Sequence, residues 1–223
     1  AMTAEIIGRE GELSVVQAFL DHPVHGLRAL VLEGQAGIGK STLWLAGVAA
    51  ARERSFHVLV SRPAEAERTL AHVVLGDLFA DAEPEALAAL PVPRRRAFEA
   101  ALLRVEPDLP VDPRALGVAI HTLLPVLANG RPLVLAIDDD QWMDPSSAAT
   151  LEFALRRSLN QPVLLLLSRR INGVPVATLE DVLDPTDVVG LRIGPLSVGA
   201  IQLLLRQRLG TTLPRPTLLQ LHE

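Results

Sequence analysis

Gly34-Gln35-Ala36-Gly37-Ile38-Gly39-Lys40-Ser41 decides the fold. The octapeptide satisfies G-x-x-x-x-G-K-[ST], the phosphate-binding loop pattern, at every fixed position. Leu30-Val31-Leu32 before it reads as a buried strand, and Thr42 to Arg54, rich in Ala and Leu, reads as a helix. Glycines let the backbone curl so that successive N–H groups converge on phosphate oxygens. The helix that starts there adds unpaired N–H groups and the positive end of its dipole. Lys40 is placed to reach β- and γ-phosphates, and the Ser41 hydroxyl to ligate Mg²⁺ with Thr42 beside it. The alternative, a glycine-rich turn that binds nothing, needs the lysine to be incidental. Lys40 is the only lysine in a chain that otherwise uses arginine, where a slim ammonium fits and a planar guanidinium does not.

Moving outward, 223 residues suffice for one large domain, or one plus a fragment. Hydrophobic residues make up 49%, but with two tryptophans and five phenylalanines the core must be mainly Leu, Val and Ala. No cysteine is present, which excludes disulfides and thiolate metal sites and fits a reducing cytosol. No apolar run approaches the ~20 residues of a membrane span, and no signal-peptide pattern opens the chain. A cytoplasmic location is expected. The net charge of −5 argues against a nucleic-acid grip by this segment itself. Ala1 ahead of Met2 reads as a cloning remnant, so an excised segment is expected.

Ile6-Ile7-Gly8-Arg9-Glu10 precedes a helical pattern from Leu13 to Leu20. It reads either as a turn leading into a surface helix or, ahead of a phosphate loop, as an adenine-side contact. His22-Pro23-Val24-His25 has metal-like spacing, but the intervening proline favours a loop. Phe56–Val60 reads as a second strand. Helical spacing follows over Glu67–Ala80, Glu85–Leu90, Arg94–Arg104 and Pro113–Ala128, punctuated by Pro84, Pro91, Pro93, Pro107 and Pro110. Arg94-Arg95-Arg96, beside Phe98 and Leu102, reads as the solvated face of a helix turn.

Leu133-Val134-Leu135-Ala136-Ile137-Asp138-Asp139-Asp140-Gln141-Trp142 is the second chemical motif. An unbroken apolar run marks a central parallel strand covered on both faces, and the aspartates fall at its carboxyl end, where open α/β sheets bind ligands. In that setting Asp138 holds Mg²⁺ through its water shell and Asp139 orients the attacking water. The plainer alternative is that the aspartates end a strand and cap the helix near Pro145, which Asp144 can do by itself. Val163–Leu167 is a third buried strand tipped by Ser168-Arg169-Arg170. An arginine there either reports on a γ-phosphate or belongs to an ordinary surface pair. Val188–Ile193 reads as the last strand, and Ser197 caps a helix from Val198 to Leu209 closed by Gly210. The chain is expected to stop at Glu223 inside a further helix, with a following element removed.

These motifs in this order resemble the N-terminal nucleotide-binding module of the large ATP-binding regulators of the LuxR type, within the STAND class of AAA+-like P-loop ATPases. The resemblance rests on Ile7–Glu10, Gly34–Ser41, Asp138-Asp139 with Gln141-Trp142 and Asp144-Pro145, Ser168–Arg170, and Gly194–Ser197. It implies ATP/ADP and Mg²⁺ as ligands and slow switching between nucleotide states. Self-association on activation is possible, and DNA is contacted only through a C-terminal domain absent here. By the same resemblance Gly8 and Arg9 lie near adenine. Gly34, Ala36, Gly37, Ile38, Gly39, Lys40, Ser41 and Thr42 hold phosphate, Ser41 and Asp138 hold the metal, and Lys40, Asp139 and Arg170 do the catalytic work. Asp139 stands where related motors carry a longer glutamate, so slow turnover is expected. The Gly-x-Pro lid contact of the class has no match before Glu223, so the hold on nucleotide is expected to be weak. Asp140 replaces an apolar residue, which puts a third carboxylate near the site or points it to solvent.

The fold expected is α/β, a P-loop three-layer sandwich with a mainly parallel sheet. A helical insertion is placed over about 63–131 and the start of a helical lid after it, dividing the chain into 1–194 and 195–223. Three functional readings stay open: a regulatory switch ATPase, a small-molecule phosphotransferase, and a non-catalytic module that holds nucleotide for assembly.

Overall fold

The computed structural model describes residues 6–105, 111–171, 178–214 and 217–218. Helix α1 (Glu10–Asp21) is followed by β1 (Arg28–Gly34), α2 (Lys40–Glu53) and β2 (His57–Ser61). Four helices come next: α3 (Val73–Leu78), α4 (Pro84–Leu87), α5 (Val92–Ala101) and α6 (Pro113–Ala128). The chain then returns through β3 (Leu133–Ile137), α7 (Pro145–Leu155), β4 (Val163–Arg170), β5 (Val188–Ile193) and α8 (Val198–Leu209). The five strands form one sheet in the order β2-β3-β4-β1-β5, and every pairing is parallel.

The sheet separates two apolar layers. Ala29, Val31, Leu133, Leu135, Leu165 and Leu167 face α3 to α7. Leu30, Leu32, Val134, Ala136, Leu164 and Leu166 face α1 and α2. All five residues of β3 are buried, as a strand covered on both faces requires. Trp44 of α2 is fully buried and its indole N–H donates to the Leu166 carbonyl at 3.0 Å, fastening that helix to the sheet.

Several sequence boundaries move. The third strand runs past Leu167 to Arg170, because Ser168, Arg169 and Arg170 pair with Leu32, Glu33 and Gly34 of β1. The helix expected over Glu67–Ala80 shrinks to α3, with a 3-10 turn at Glu65–Glu67. Its amino end is set by Asp144, whose carboxylate accepts from His72 N (2.8 Å) and Val74 N (3.2 Å), with His72 in the left-handed region. Those N–H groups are thereby withdrawn from any helix running through His72. Helices α4 and α5 are likewise shorter than their apolar spacing suggests. The Arg104 guanidinium, donating to the carbonyls of Phe79, Ala80 and Ala82, takes up the loose end behind α3. Pro107, Pro110 and the helix expected toward Glu223 lie wholly or mostly outside the described residues. Among the described residues no helix is long and apolar enough to cross a membrane, and no cluster of three His, Asp or Glu suited to a metal occurs. His22 and His25 lie in the connection between α1 and β1.

Candidate functional site

The phosphate-loop sequence connects β1 to α2 at the carboxyl edge of the sheet. Gly37 (φ 75°) and Gly39 (φ 103°) both take the left-handed conformation, and a Cβ built on either meets nothing within 4 Å. Both are therefore needed for the curl, and both leave the cradle open. Gly34 is different. A Cβ there would lie 2.7 Å from Ile38 Cγ2 and 3.2 Å from the Ile193 carbonyl, so Gly34 and Ile38 form the floor of the loop. The cleft above holds about 250 Å³ and is lined by Ala36, Gly37, Gly39, Lys40, Ser41, Thr42, Asp139 and Arg170.

Within it, the Lys40 ammonium donates to the Gln35 carbonyl at 2.9 Å. Burial lowers its pKa below the ordinary lysine value, opposed chiefly by the charge of Asp139. The Ser41 hydroxyl lies 3.2 Å from Asp138 Oδ1, bringing the loop and the β3 tip together. Asp138 is 3% exposed. Its Oδ1 also accepts from the Ser168 hydroxyl at 2.5 Å, and its Oδ2 faces Arg62 Nη2 at 3.4 Å. Asp139 adopts φ 50°, a left-handed conformation that non-glycine residues hold only under local constraint. Its N–H donates to Ser168 Oγ at 3.0 Å, and its Oδ1 accepts from the Gln141 side-chain amide at 2.9 Å. Arg170 Nε stands 3.9 Å from the same oxygen, its guanidinium 5.6 Å from the centre of the Trp142 ring.

Asp140 departs from expectation. It neither joins the cleft nor reaches solvent, because the turn at Asp139 carries it to the opposite face of the sheet, where it is 1% exposed. There Arg169 Nη2 bonds Asp140 Oδ2 at 2.6 Å and Glu180 Oε2 at 2.8 Å, and Nη1 bonds Glu180 Oε1 at 2.5 Å. One guanidinium serves two carboxylates, Asp140 buried and Glu180 partly so. Burial accordingly pushes the Asp140 carboxyl up to about 7 despite the attraction of Arg169. The Arg169 pKa, which burial would lower, is raised on balance by Glu180 and Asp140.

The residues ahead of α1 touch the loop from outside. Arg9 is 5% exposed and spans Glu12 Oε1 (2.7 Å) and the Ile38 carbonyl (2.9 Å), bracing the cradle. Gly8 has φ 69°, and a Cβ there would collide with Ala200 of α8. Asp144 caps α7 through Ser147 N (2.8 Å) as well as binding the start of α3.

Sequence reasoning placed Lys40, Ser41, Asp138, Asp139 and Arg170 at one locus, and they are together in the structure. It missed Arg62 and Glu180. Neither carries a local signal, since each reaches the strand tips from a segment with no motif of its own. The chemical capacity of the cleft is clear. It combines an open amide cradle, a cation, a hydroxyl against a buried carboxylate, and a second carboxylate facing the opening.

The AAA ATPase domain family matches residues 5–166, and the chain belongs to that family. No curated protein matches the sequence. Among solved structures it is similar to CDC6P from Pyrobaculum aerophilum, with TM-score 0.55 and 14% identity over 95% of this chain and 52% of that one. It is similar to the Drosophila ORC bound to DNA, at 0.53 and 18% over 89% and 46%. It is also similar to the Aeropyrum pernix ORC1 protein in complex with DNA, at 0.51 and 20% over 95% and 52%. At such identities the likeness concerns the fold, that of an α/β P-loop ATPase. The chain spans about half the length of those it resembles.

Proposed function

We propose that this domain binds ATP and ADP with Mg²⁺ and, by slow hydrolysis, acts as the nucleotide switch of a signal-responsive transcriptional regulator. The observation that carries the reading is the approach of Ser41 Oγ to Asp138 Oδ1 at 3.2 Å beside the open amide cradle. A hydroxyl and a carboxylate at that spacing suit a hard cation with oxygen ligands. Ser41 would hold Mg²⁺ directly and Asp138 would do so through water. The cation, when bound, supplies charge neutralisation at the phosphate oxygens. Lys40 would leave the Gln35 carbonyl for phosphate. Gly34 to Thr42 would present backbone N–H groups, and Arg170 would face the terminal phosphate. Gly8 and Arg9 would flank the base side, where Arg9 already braces Ile38.

Slow turnover fits the state of Asp139. Its Oδ1 is engaged by the Gln141 amide, so the carboxylate is a restrained base for an attacking water. The same bond favours a second reading, a module that holds nucleotide without turning it over. The regulatory role itself rests on the order of motifs along the chain. So does the reading of α8 as the first lid helix after residue 194, with self-association on activation and DNA contact through a further domain. Calorimetry with Mg-ATP and Mg-ADP tests the core claim. Saturable heat with the parent and none with Lys40→Ala is expected, and a parent that gives no heat at millimolar nucleotide would overturn it. Single-turnover hydrolysis then separates the switch from the holding module.

A further inference from the structure

We propose that Arg169, clamped between Asp140 and Glu180 on the far face of the sheet, is a positioning residue that sets where Asp139 and Arg170 stand in the cleft. The inference rests on the nucleotide reading above for its ligand arm only. Side chains alternate along β4. Leu165, Leu167 and Arg169 share the face of α3 to α7, while Leu166, Ser168 and Arg170 share the face of the phosphate loop. Arg169 and Asp140 are thus the rear neighbours of Arg170 and Asp139, one on each of two adjacent strand tips. Their bond at 2.6 Å ties those tips together from behind.

On the front, Ser168 Oγ joins the two tips through Asp138 Oδ1 and the Asp139 N–H, and the Gln141 amide bonds Asp139 Oδ1 and the Arg170 N–H, but the two cleft side chains do not hold each other. Arg170 and Asp139 side chains are 43% and 28% exposed and 3.9 Å apart, too far for a hydrogen bond. The rear pair is 7% and 0% exposed, with Glu180 adding a two-pronged grip at 2.5 and 2.8 Å. Glu180 belongs to the 3-10 turn Leu179–Val182, whose Leu179 is fully buried in the core. The tips are therefore anchored to the body of the domain.

Stability does not account for the cluster. Desolvating three charges costs about as much as their attraction returns, and apolar replacements of buried ion clusters are often neutral or stabilising. Among the described residues Asp140 Oδ1 and Arg169 Nε are buried with no partner, which makes the balance worse. Leucines occupy the two preceding positions on this face of β4 without difficulty. What a fixed guanidinium fork adds is directionality.

The test replaces the cluster by apolar groups, Asp140→Leu with Arg169→Met and Glu180→Met. The variant is expected to keep the parent melting temperature. Trp142, part-exposed under Arg170, should become more accessible to acrylamide in nucleotide-free protein, with the fully buried Trp44 silent. The preference for Mg-AMPPNP over Mg-ADP should fall by roughly 2- to 30-fold, the span of coupling changes seen along such networks, with Mg-ADP affinity retained. Parental quenching in the folded variant overturns the proposal, as does an equal loss of affinity for both nucleotides. Should the triple variant not fold, Arg169→Lys keeps the charge and removes the fork, and the same two readouts decide. A parent that binds neither nucleotide defeats the nucleotide reading, while the quenching arm still judges the clamp.

Discussion

Lys40 and Asp139 share a cleft but answer to different environments. The ammonium is buried, and that desolvation depresses its pKa against the opposing charge of Asp139. Phosphate charge would reverse that penalty, so Lys40→Ala should abolish measurable nucleotide binding in calorimetry without changing the melting temperature of free protein. Asp139 faces the opening with one oxygen engaged by Gln141. Asp139→Asn should leave Mg-ADP affinity near parental and cut hydrolysis by about 10²-fold, the low end of what a positioned general base contributes. Phosphate-release assays at saturating ATP read this directly. Both residues were legible in the sequence because a motif marks a local backbone shape. Arg62 was not, since its 3.4 Å approach to Asp138 joins the ends of neighbouring strands β2 and β3 across the sheet.

Asp144 acts at the scale of elements. Its carboxylate caps α7 and also receives two N–H groups from the start of α3, so one side chain joins the helical region after β2 to the β3 tip. Asp144→Ala strands buried donors at two helix starts and should cost about 2–4 kcal/mol, a cap plus unsatisfied N–H groups. Urea denaturation should show the loss as a lower midpoint with an unchanged slope. Gly8 governs a second junction, between the segment ahead of α1 and α8. Gly8→Ala introduces both a left-handed strain and a collision with Ala200. Ala200→Gly in the same chain should restore the packing part and leave about 1 kcal/mol of backbone strain, which double-mutant thermal melts will resolve. A result in which Ala200→Gly rescues nothing would mean that α8 does not rest on Gly8 in solution.

For the whole molecule, pH acts through two opposed limbs. Burial lowers the pKa of His57 and of His72 below the ordinary histidine value. The unfolded chain therefore takes up more protons than the native one as pH falls below about 6.5, and stability drops on the acid side. Asp140 runs the other way. Its native carboxyl titrates at about 7, against 3.8 ordinarily, so between those values the native state holds the extra proton and stability declines as pH rises. Between pH 5 and 7 the two limbs therefore oppose each other in the parent. Asp140→Asn removes the declining limb, and its melting temperature should climb with pH over that interval. Identical pH profiles for parent and variant would show that Asp140 is ionised throughout.

Patterns with a local cause were written in the chain. The strand–loop–helix at Gly34–Ser41, the five apolar strand runs, the aspartates closing β3 and the Ser197 and Gly210 caps each depend on neighbours a few residues apart. They were enough to specify an α/β sheet with a phosphate cradle at its carboxyl edge. The face each strand-tip charge occupies was decided only by tertiary structure. A left-handed turn at Asp139 sends Asp140 through to the far layer, and the extra β4 pairing with β1 sends Arg169 after it. Desolvation there raises the pKa of the Asp140 carboxyl against the attraction of Arg169. No linear spacing encodes that, because it arises from distant segments meeting out of water.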